Sequence, residues 1–488
     1  MGNFAVDVVE AADPDALALV ELDREGARRE HRFGAVARAA RTMAAHLERA
    51  GVRRGDVVLT LAGNQPDWVV AMVACFRQGY VVLPCTEQLR AKDLELRLAV
   101  TRPAAVVADG RNAEVLEAAG WDGPTIWGPG VMDWPDASVV PDAVDLDVFD
   151  PCLITFTSGT AGEPKAVLHG QRYLDGQRLQ AEHWLAARPG DLVWCTAASG
   201  WSKSARNVFI APWLRGAAAL LHDARFDPAE RLDVLERERV NVLCMAPTEY
   251  RVIAKRVPLR AFPALRGLVA AGEALNPEVL SVWKDATGLE IRDGYGQTET
   301  GQMTGNLDGA EAIAGSMGRP LPGVKLWIDD GELVADPSTV PTFFLGYLDE
   351  GGSVTGASES VWRTGDRVRQ DDDGYLFFEG RTDDVIISSG YRIGPFEVES
   401  ALISHPAVAE AAVVAATDDE RGSIVRAIIV LRDPTIESDA LRTELQDHVK
   451  SLTAPYKYPR IIDFAPDLPK TSSGKIRRAQ LREDARDR

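Results

Sequence analysis

At 488 residues, with 45% hydrophobic and 26% charged side chains, the chain is too long for one ordinary core and too apolar to be disordered. A length of this size predicts about two to four folded units. The formal net charge of −19 excludes a nonspecific grip on nucleic acid or on an anionic membrane, so an anionic ligand must be held by a local cluster of donors.

Apolar positions Phe33, Val36, Ala40, Met43 and Leu47 recur at helical spacing and predict an amphipathic helix over 33–50. A turn at 51–56 leads to a short buried strand over 57–61, a helix over 68–78 and a strand over 80–84. Further strands are predicted at 104–108, 192–196, 217–221, 242–246 and 268–271. Strands alternating with helices argue for βαβ units and a parallel sheet covered on both faces. Past Gly315 the chain changes character: Gly318, Pro320, Pro322 and Gly323 crowd together, and short β-like runs follow at 325–328, 332–335 and 375–379. Beyond Asp383 comes a compact α+β pattern, with helices at 395–403 and 438–451 and strands at 408–415 and 424–431. The predicted fold class is α/β. A large N-terminal domain over 1–382, built of βαβ-derived sheets with a β-rich part at 315–382, precedes a small α+β domain over 383–488.

Cys75, Cys85, Cys152, Cys195 and Cys244 are scattered in apolar surroundings with no CxxC pair, the pattern of reduced thiols. No basic segment followed by an apolar one opens the chain, and no apolar run is long enough to span a bilayer. A cytoplasmic location is expected.

The loop Thr157-Ser158-Gly159-Thr160-Ala161-Gly162-Glu163-Pro164-Lys165 follows the apolar run 152–156. Its glycines permit close backbone approach, and its hydroxyls and lysine are donors, so it suits a polyphosphate. It is not a Walker A sequence, because Pro164 precedes the lysine and no Ser or Thr follows. Taken alone, it reads equally as a surface Gly/Ser loop.

Four more stretches follow in order. They are Gly294-Tyr295-Gly296-Gln297-Thr298-Glu299; Trp362-Arg363-Thr364-Gly365-Asp366; Gly380-Arg381-Thr382-Asp383-Asp384 with Ser388-Ser389-Gly390-Tyr391-Arg392; and Pro469-Lys470-Thr471-Ser472-Ser473-Gly474-Lys475. In identity, order and separation the five resemble the adenylate-forming enzymes, the superfamily of acyl-CoA synthetases, firefly luciferase and peptide-synthetase adenylation domains. Residues 389–399 and 454–460 look most like medium-chain acyl-CoA synthetases. Trp362, where Tyr is commoner, and a shortened stretch between Gly331 and Gly351 depart from the pattern.

The resemblance implies two steps, using ATP, Mg²⁺ and coenzyme A. A carboxylate first attacks the ATP α-phosphate to give acyl-AMP and pyrophosphate, a reaction that demands positioning and charge neutralisation. Residues 157–165 would hold the departing phosphates, Glu299 the Mg²⁺, and Thr298 the α-phosphate. Tyr295 would stack on adenine, flanked by Gly272, Glu273, Ala274, Asp293, Gly294, Gly296 and Gln297; a core role for Tyr295 is the alternative. Asp366 would accept from the ribose and Arg381 donate to the sugar or phosphate, unless the two simply form a salt bridge. Lys475 is expected to stabilise the charge that develops in the first transition state. For the second step the C-terminal domain is expected to rotate about Asp383. Ser389, Gly390 and Tyr391 would then line a thiol tunnel, with Arg421, Lys450 and Tyr458 reaching CoA and Arg392 the nucleotide.

Acetate-activating relatives carry tryptophan where this chain has Gly296, so the acid is expected to be larger than acetate, a medium-chain fatty or aryl acid. A backbone need for glycine at that turn explains the residue equally well. The stretch Gly200-Trp201-Ser202-Lys203-Ser204 resembles the acyl-site segment of medium-chain enzymes, with Trp201 and Val208 as walls and Gln88 close by. No aspartate stands in 201–204 to pair an amino group, which counts against an amino-acid-activating module. Two alternatives remain: a free-standing ligase that loads a carrier protein, and a sensor that keeps the fold without turnover.

Overall fold

The computed structural model describes residues 2–157, 164–272, 275, 277–356, 360–388, 391–418, 421–470 and 476–486. Two large sheets, not one, carry the N-terminal part. The first orders its strands Val354–Thr355, Gly346–Leu348, Ala166–Gly170, Pro151–Phe156, Val81–Cys85, Val57–Leu61, Ala105–Asp109 and Thr125–Gly128. The second runs Arg319–Pro320, Gly301–Gly305, Ile291–Gln297, Gly267–Ala271, Val242–Met245, Leu192–Cys195, Ala218–His222, Leu17–Leu22 and Arg28–Arg32. Central strands pair in parallel, while Ala166–Gly170, Gly301–Gly305 and Arg28–Arg32 return antiparallel. The expected βαβ-derived sheets are thus two, each mostly parallel with antiparallel strands toward its edges. Local periodicity gives strand and helix but not the partner strand.

Alternate residues of each strand serve opposite faces. Leu59 and Leu61 pack outward with Leu94 and Leu116, whereas Val58 faces inward. Leu243 and Met245 pack outward with Tyr250 and Trp283, whereas Val242 and Cys244 face inward. The two inner faces share one core with the helices Phe33–Arg49 and Pro66–Gln78, so helix and sheet layers alternate five deep. Every residue of Pro66–Gln78 is buried, as its run from Trp68 to Phe76, apolar all round, requires. The helix stops at Gly79 (φ 64°), a left-handed position that favours glycine.

Asp67 opens that central helix and accepts from the Val131 N–H at 3.2 Å. Burial raises its carboxyl to about 6, against the partial opposing effect of backbone N–H groups. Its contribution to stability is therefore fully present below the unfolded value of 3.8 and is lost as pH rises through about 6. Asp67→Asn is expected to raise Tm relative to the parent at pH 8, by the equivalent of about 2 kcal/mol, and to make little difference at pH 4. Thermal unfolding across that range reads the effect; a gap independent of pH contradicts it.

The strands Leu326–Asp329, Glu332–Ala335, Trp362–Gln370 and Leu376–Arg381 form an antiparallel sheet over Met317, Leu333, Val368 and Leu376. The predicted β-rich part is not one unit, however. Gly346–Leu348 leaves it to pair with Ala166–Gly170 in the first large sheet. In the C-terminal part, Pro395–Ile403 and Asp439–Leu452 share a core with Val408–Asp418, Gly422–Leu431 and Ile461–Phe464. Ile386 is the first residue of that core, and Phe378 packs with the preceding sheet. Asp383 falls in the short connection between the two cores. No helix among the described residues is long and apolar enough to cross a membrane.

Candidate active site

The loops at the carboxyl ends of the parallel strands meet between the two sheets, the usual place for a ligand in such folds. Asn64, after Val57–Leu61, donates to the Ala197 carbonyl at 3.1 Å and accepts from the Ser199 N–H at 2.9 Å. Gly200 (φ 89°) lies so close to the next strand end that a Cβ would sit 2.4 Å from the Thr86 nitrogen. Lys203 Nζ donates to the Ala271 carbonyl at 3.2 Å, beside Gly272.

The predicted phosphate loop joins two antiparallel strands and is clamped at its base. Thr157 N–H donates to the Lys165 carbonyl and Lys165 N–H to Thr157 Oγ1, both at 2.9 Å. Ser158, Gly159, Thr160, Ala161, Gly162 and Glu163 lie outside the described residues, as do Glu273, Ala274, Ser389, Gly390 and Lys475 and the side chain of Arg392. Lys165 Nζ stands 5.0 Å above the Tyr347 ring, and the Tyr347 hydroxyl donates to Glu299 Oε1 at 2.8 Å. Tyr347 thus joins the loop to the expected Mg²⁺ ligand. Sequence reasoning missed it because only the pairing of Gly346–Leu348 with the distant Ala166–Gly170 brings it there.

Gln297 is the hub of the nucleotide motif. Its Nε2 donates to the Thr364 carbonyl at 2.7 Å and to Asp366 Oδ2 at 3.0 Å, and its Oε1 accepts from the Trp362 indole at 3.0 Å. The unusual tryptophan therefore has a polar task as well as its edge contacts with Phe343 and Phe344. Asp366 also accepts from the Tyr295 hydroxyl and from Arg381 at 3.1 Å. The two form a salt bridge, which holds Arg381 beside the carboxylate expected to meet the ribose. Burial raises the Asp366 carboxyl, and Arg381 and the Tyr295 and Gln297 donors pull it partly back. Asp293 is buried and caps the Gly294 N–H at 2.8 Å. His169 lies beside the backbone of Thr298, and burial and the nearby Arg206 charge push its imidazole down to about 3, so it is neutral. No motif pointed to it.

Gly296 has a backbone explanation: a Cβ there would lie 1.8 Å from the Gly301 carbonyl oxygen across an irregular strand pair. The glycine by itself carries no message about acid size. Val208 is wholly buried in the core between the sheets, Trp201 is half-buried at the turn, and Gln88 stands exposed rather than forming a buried wall.

In the C-terminal part Tyr391 stacks on Tyr456 at 4.3 Å, and both are exposed. Lys450 Nζ lies 4.4 Å over Tyr458, with Arg460 also over that ring at 5.0 Å. Arg421 is held apart in the tip between Val408–Asp418 and Gly422–Leu431, its N–H bound to Asp418. The segment carrying Lys475 is closed at its base by a bridge between Lys470 and Ile476 and by Arg477 N–H to the Pro469 carbonyl at 2.8 Å. Beside it Arg478 grips Glu399 through two bonds of 2.7 and 2.9 Å. Asp383 pairs with Arg381 at 3.4 Å, so the predicted hinge touches a predicted nucleotide residue. A cleft of about 300 Å³ lies alongside, lined by Thr382, Val385 and Ile387 on one wall and Arg363 and Arg367 on the other.

Comparison with known proteins agrees with this layout. The model of the AMP-binding enzymes matches residues 6–341, and that of the AMP-binding enzyme C-terminal domain matches 397–475. An uncharacterized acyl-CoA ligase of Bacillus subtilis, YtcI, is 39% identical over 95% of this chain and 92% of its own. The mitochondrial acyl-coenzyme A synthetase ACSM4 of Rattus norvegicus is 41% identical over 89% of this chain and 80% of its own. Among solved structures, the anthranilate CoA ligase AuaEII in complex with anthranoyl-AMP superposes with a TM-score of 0.88 at 29% identity, covering 99% of this chain and 97% of that one.

Proposed function

The chain belongs to the AMP-binding enzymes, and from that premise we propose how its residues divide an ATP-dependent ligation between a carboxylic acid and a thiol. It is an acyl-CoA synthetase. An acid oxygen attacks the ATP α-phosphorus and pyrophosphate leaves; the CoA sulfur then attacks the acyl carbonyl and AMP leaves. One observation carries the assignment of residues: Lys165 at the base of the phosphate loop, Glu299 and the Asp366 cluster converge at the same strand ends.

In this reading residues 157–165 hold the β- and γ-phosphates, and Thr298 faces the α-phosphate. Glu299 is the protein's ligand for Mg²⁺. A single carboxylate suits that ion, which takes its other oxygens from phosphates and water. Tyr347 fixes the rotamer of Glu299 by donating to it. Tyr347→Phe is accordingly expected to raise KM for MgATP by about 3- to 10-fold, the net worth of a typical hydrogen bond. Steady-state kinetics at saturating acid measure this; an unchanged KM removes the role.

Asp366 and Arg381 receive the ribose, Tyr295 the adenine, and Lys475 the reacting oxygens. Ser389, Gly390, Tyr391, Lys450 and Tyr458 serve the thiol half-reaction, and Arg421 extends that surface. The acid is larger than acetate, a medium-chain fatty or aryl acid, and the protein works in the cytoplasm. The test is AMP and thioester formation by the purified protein, with a panel of acids and either CoA or a phosphopantetheinylated carrier protein. Acyl-CoA formation supports the reading. Transfer to the carrier alone replaces it with the carrier-loading alternative.

A further inference from the structure

Arg206 is a buried cation with no counter-ion among the described residues. It is 5% exposed, and its Nε and Nη1 have no hydrogen-bond partner. The Tyr173 hydroxyl lies beside it, and no ion pair of Arg206 is found among the described residues. A structural arginine in a core is ordinarily saturated, because an unpaired buried charge is very costly. Asn207 Nδ2 and Gln180 Oε1 are also unpartnered nearby, although each amide is anchored at its other end by the Gln180 Nε2 bond to Asn207 Oδ1 at 3.1 Å. The Arg206 guanidinium, whose nitrogens are all donors, calls for acceptors.

The surroundings add positive charge. Arg206 opens a π-helical turn, Arg206–Ile210, just after the Gly200 turn. Its charge acts on His169, which touches the backbone of Thr298, and on Cys244 in the second sheet. Lys203 acts on Cys195 and Cys244 from the same side, and its ammonium has only the Ala271 carbonyl. Glu249, which also acts on Cys195, is already held by Arg231 at 3.0 Å and by the Thr196 hydroxyl. Among the described residues, then, no carboxylate pairs with Arg206 or with the part-exposed Lys203.

Resting on the ligase reading above, we propose that the acid is a dicarboxylate: one carboxylate is adenylated, and Arg206, with Lys203 beside it, receives the other. This narrows the medium-chain acid of that reading to one with a second carboxylate at its far end, since a plain fatty chain would leave the guanidinium buried and unpaired.

The experiment compares pyrophosphate release with dicarboxylates from succinate to suberate against monocarboxylates of equal length, for the parent and Arg206→Leu. For the parent, the best dicarboxylate is expected to exceed its monocarboxylate partner in kcat/KM by about 10- to 100-fold, the worth of a charged hydrogen bond lost to truncation. Arg206→Leu is expected to reverse that order, with kcat/KM for the monocarboxylate rising above the parent's. The parent alone gives a second reading, since suberate should raise its Tm more than octanoate does. A parent that prefers monocarboxylates overturns the proposal and leaves the ligase reading standing. Equal loss with every acid in Arg206→Leu also overturns it, by moving Arg206 to the reacting carboxylate. No pyrophosphate with any acid rejects both.

Discussion

Lys475→Ala is expected to reduce acyl-adenylate formation by about 100- to 1,000-fold, the cost of removing one donor aimed at charge that develops in a transition state. Thioester formation from supplied acyl-adenylate is expected to stay within a few-fold of the parent. The asymmetry follows from chemistry. In the first half-reaction a carboxylate meets a polyphosphate, and charge collects on the α-phosphoryl oxygens; in the second a thiolate meets a neutral carbonyl. The chain presents this lysine on a segment whose base is fixed by the Lys470–Ile476 bridge and flanked by the Arg478–Glu399 pair. Pyrophosphate exchange and single-turnover thioester formation measure the two halves separately. Equal loss in both would remove Lys475 from the first step and make it a general structural residue.

Asp383→Pro is expected to divide the halves the other way. The core of the N-terminal part ends near Phe378 and that of the C-terminal part begins at Ile386, so rotation between them must be absorbed in the few residues between. Proline fixes φ near −65° and restricts the residue before it, here Thr382, whose N–H is already bound to the Gly365 carbonyl at 2.8 Å. Adenylation is expected to remain near normal, while thioester formation falls by at least about 100-fold, or ~2.7 kcal/mol in barrier. The Asp383–Arg381 pair is part-exposed and worth little by itself, so its loss does not account for an effect of that size. Normal rates in both half-reactions would place the hinge elsewhere.

Much of the site was legible because its residues sit in contiguous motifs. Gln297, Thr298 and Glu299 could be read together, and so could Thr364 and Asp366. The structure joins the two stretches through Gln297. What escaped depends on long-range pairing or on burial. Tyr347 reaches Glu299 only because a three-residue strand crosses from the β-rich part to the first large sheet. His169 and Arg206 are single polar residues that look incidental in sequence, and only the unpartnered His169 Nδ1 and Arg206 Nε and Nη1 atoms among the described core residues mark them out. Gly296 shows the reverse limit. A glycine read for its missing side chain is required by the Gly301 carbonyl, so local sequence could not separate substrate room from backbone room.

The division into two large sheets and a C-terminal part also explains why the site can serve two reactions. The residues proposed for the nucleotide lie on strand ends over one deep core, while those offered for the second step lie on another core joined by a few residues. Rigid holding and exchange of catalytic groups are thereby assigned to different parts of the chain.

Acid-dependent exchange of labelled pyrophosphate into ATP, by the purified protein with Mg²⁺ and without any thiol, tests the central claim most directly. Exchange that requires a carboxylic acid, proceeds without CoA and is lost in Lys475→Ala is the predicted result. Release of ADP and phosphate, or no exchange with any acid, would contradict it.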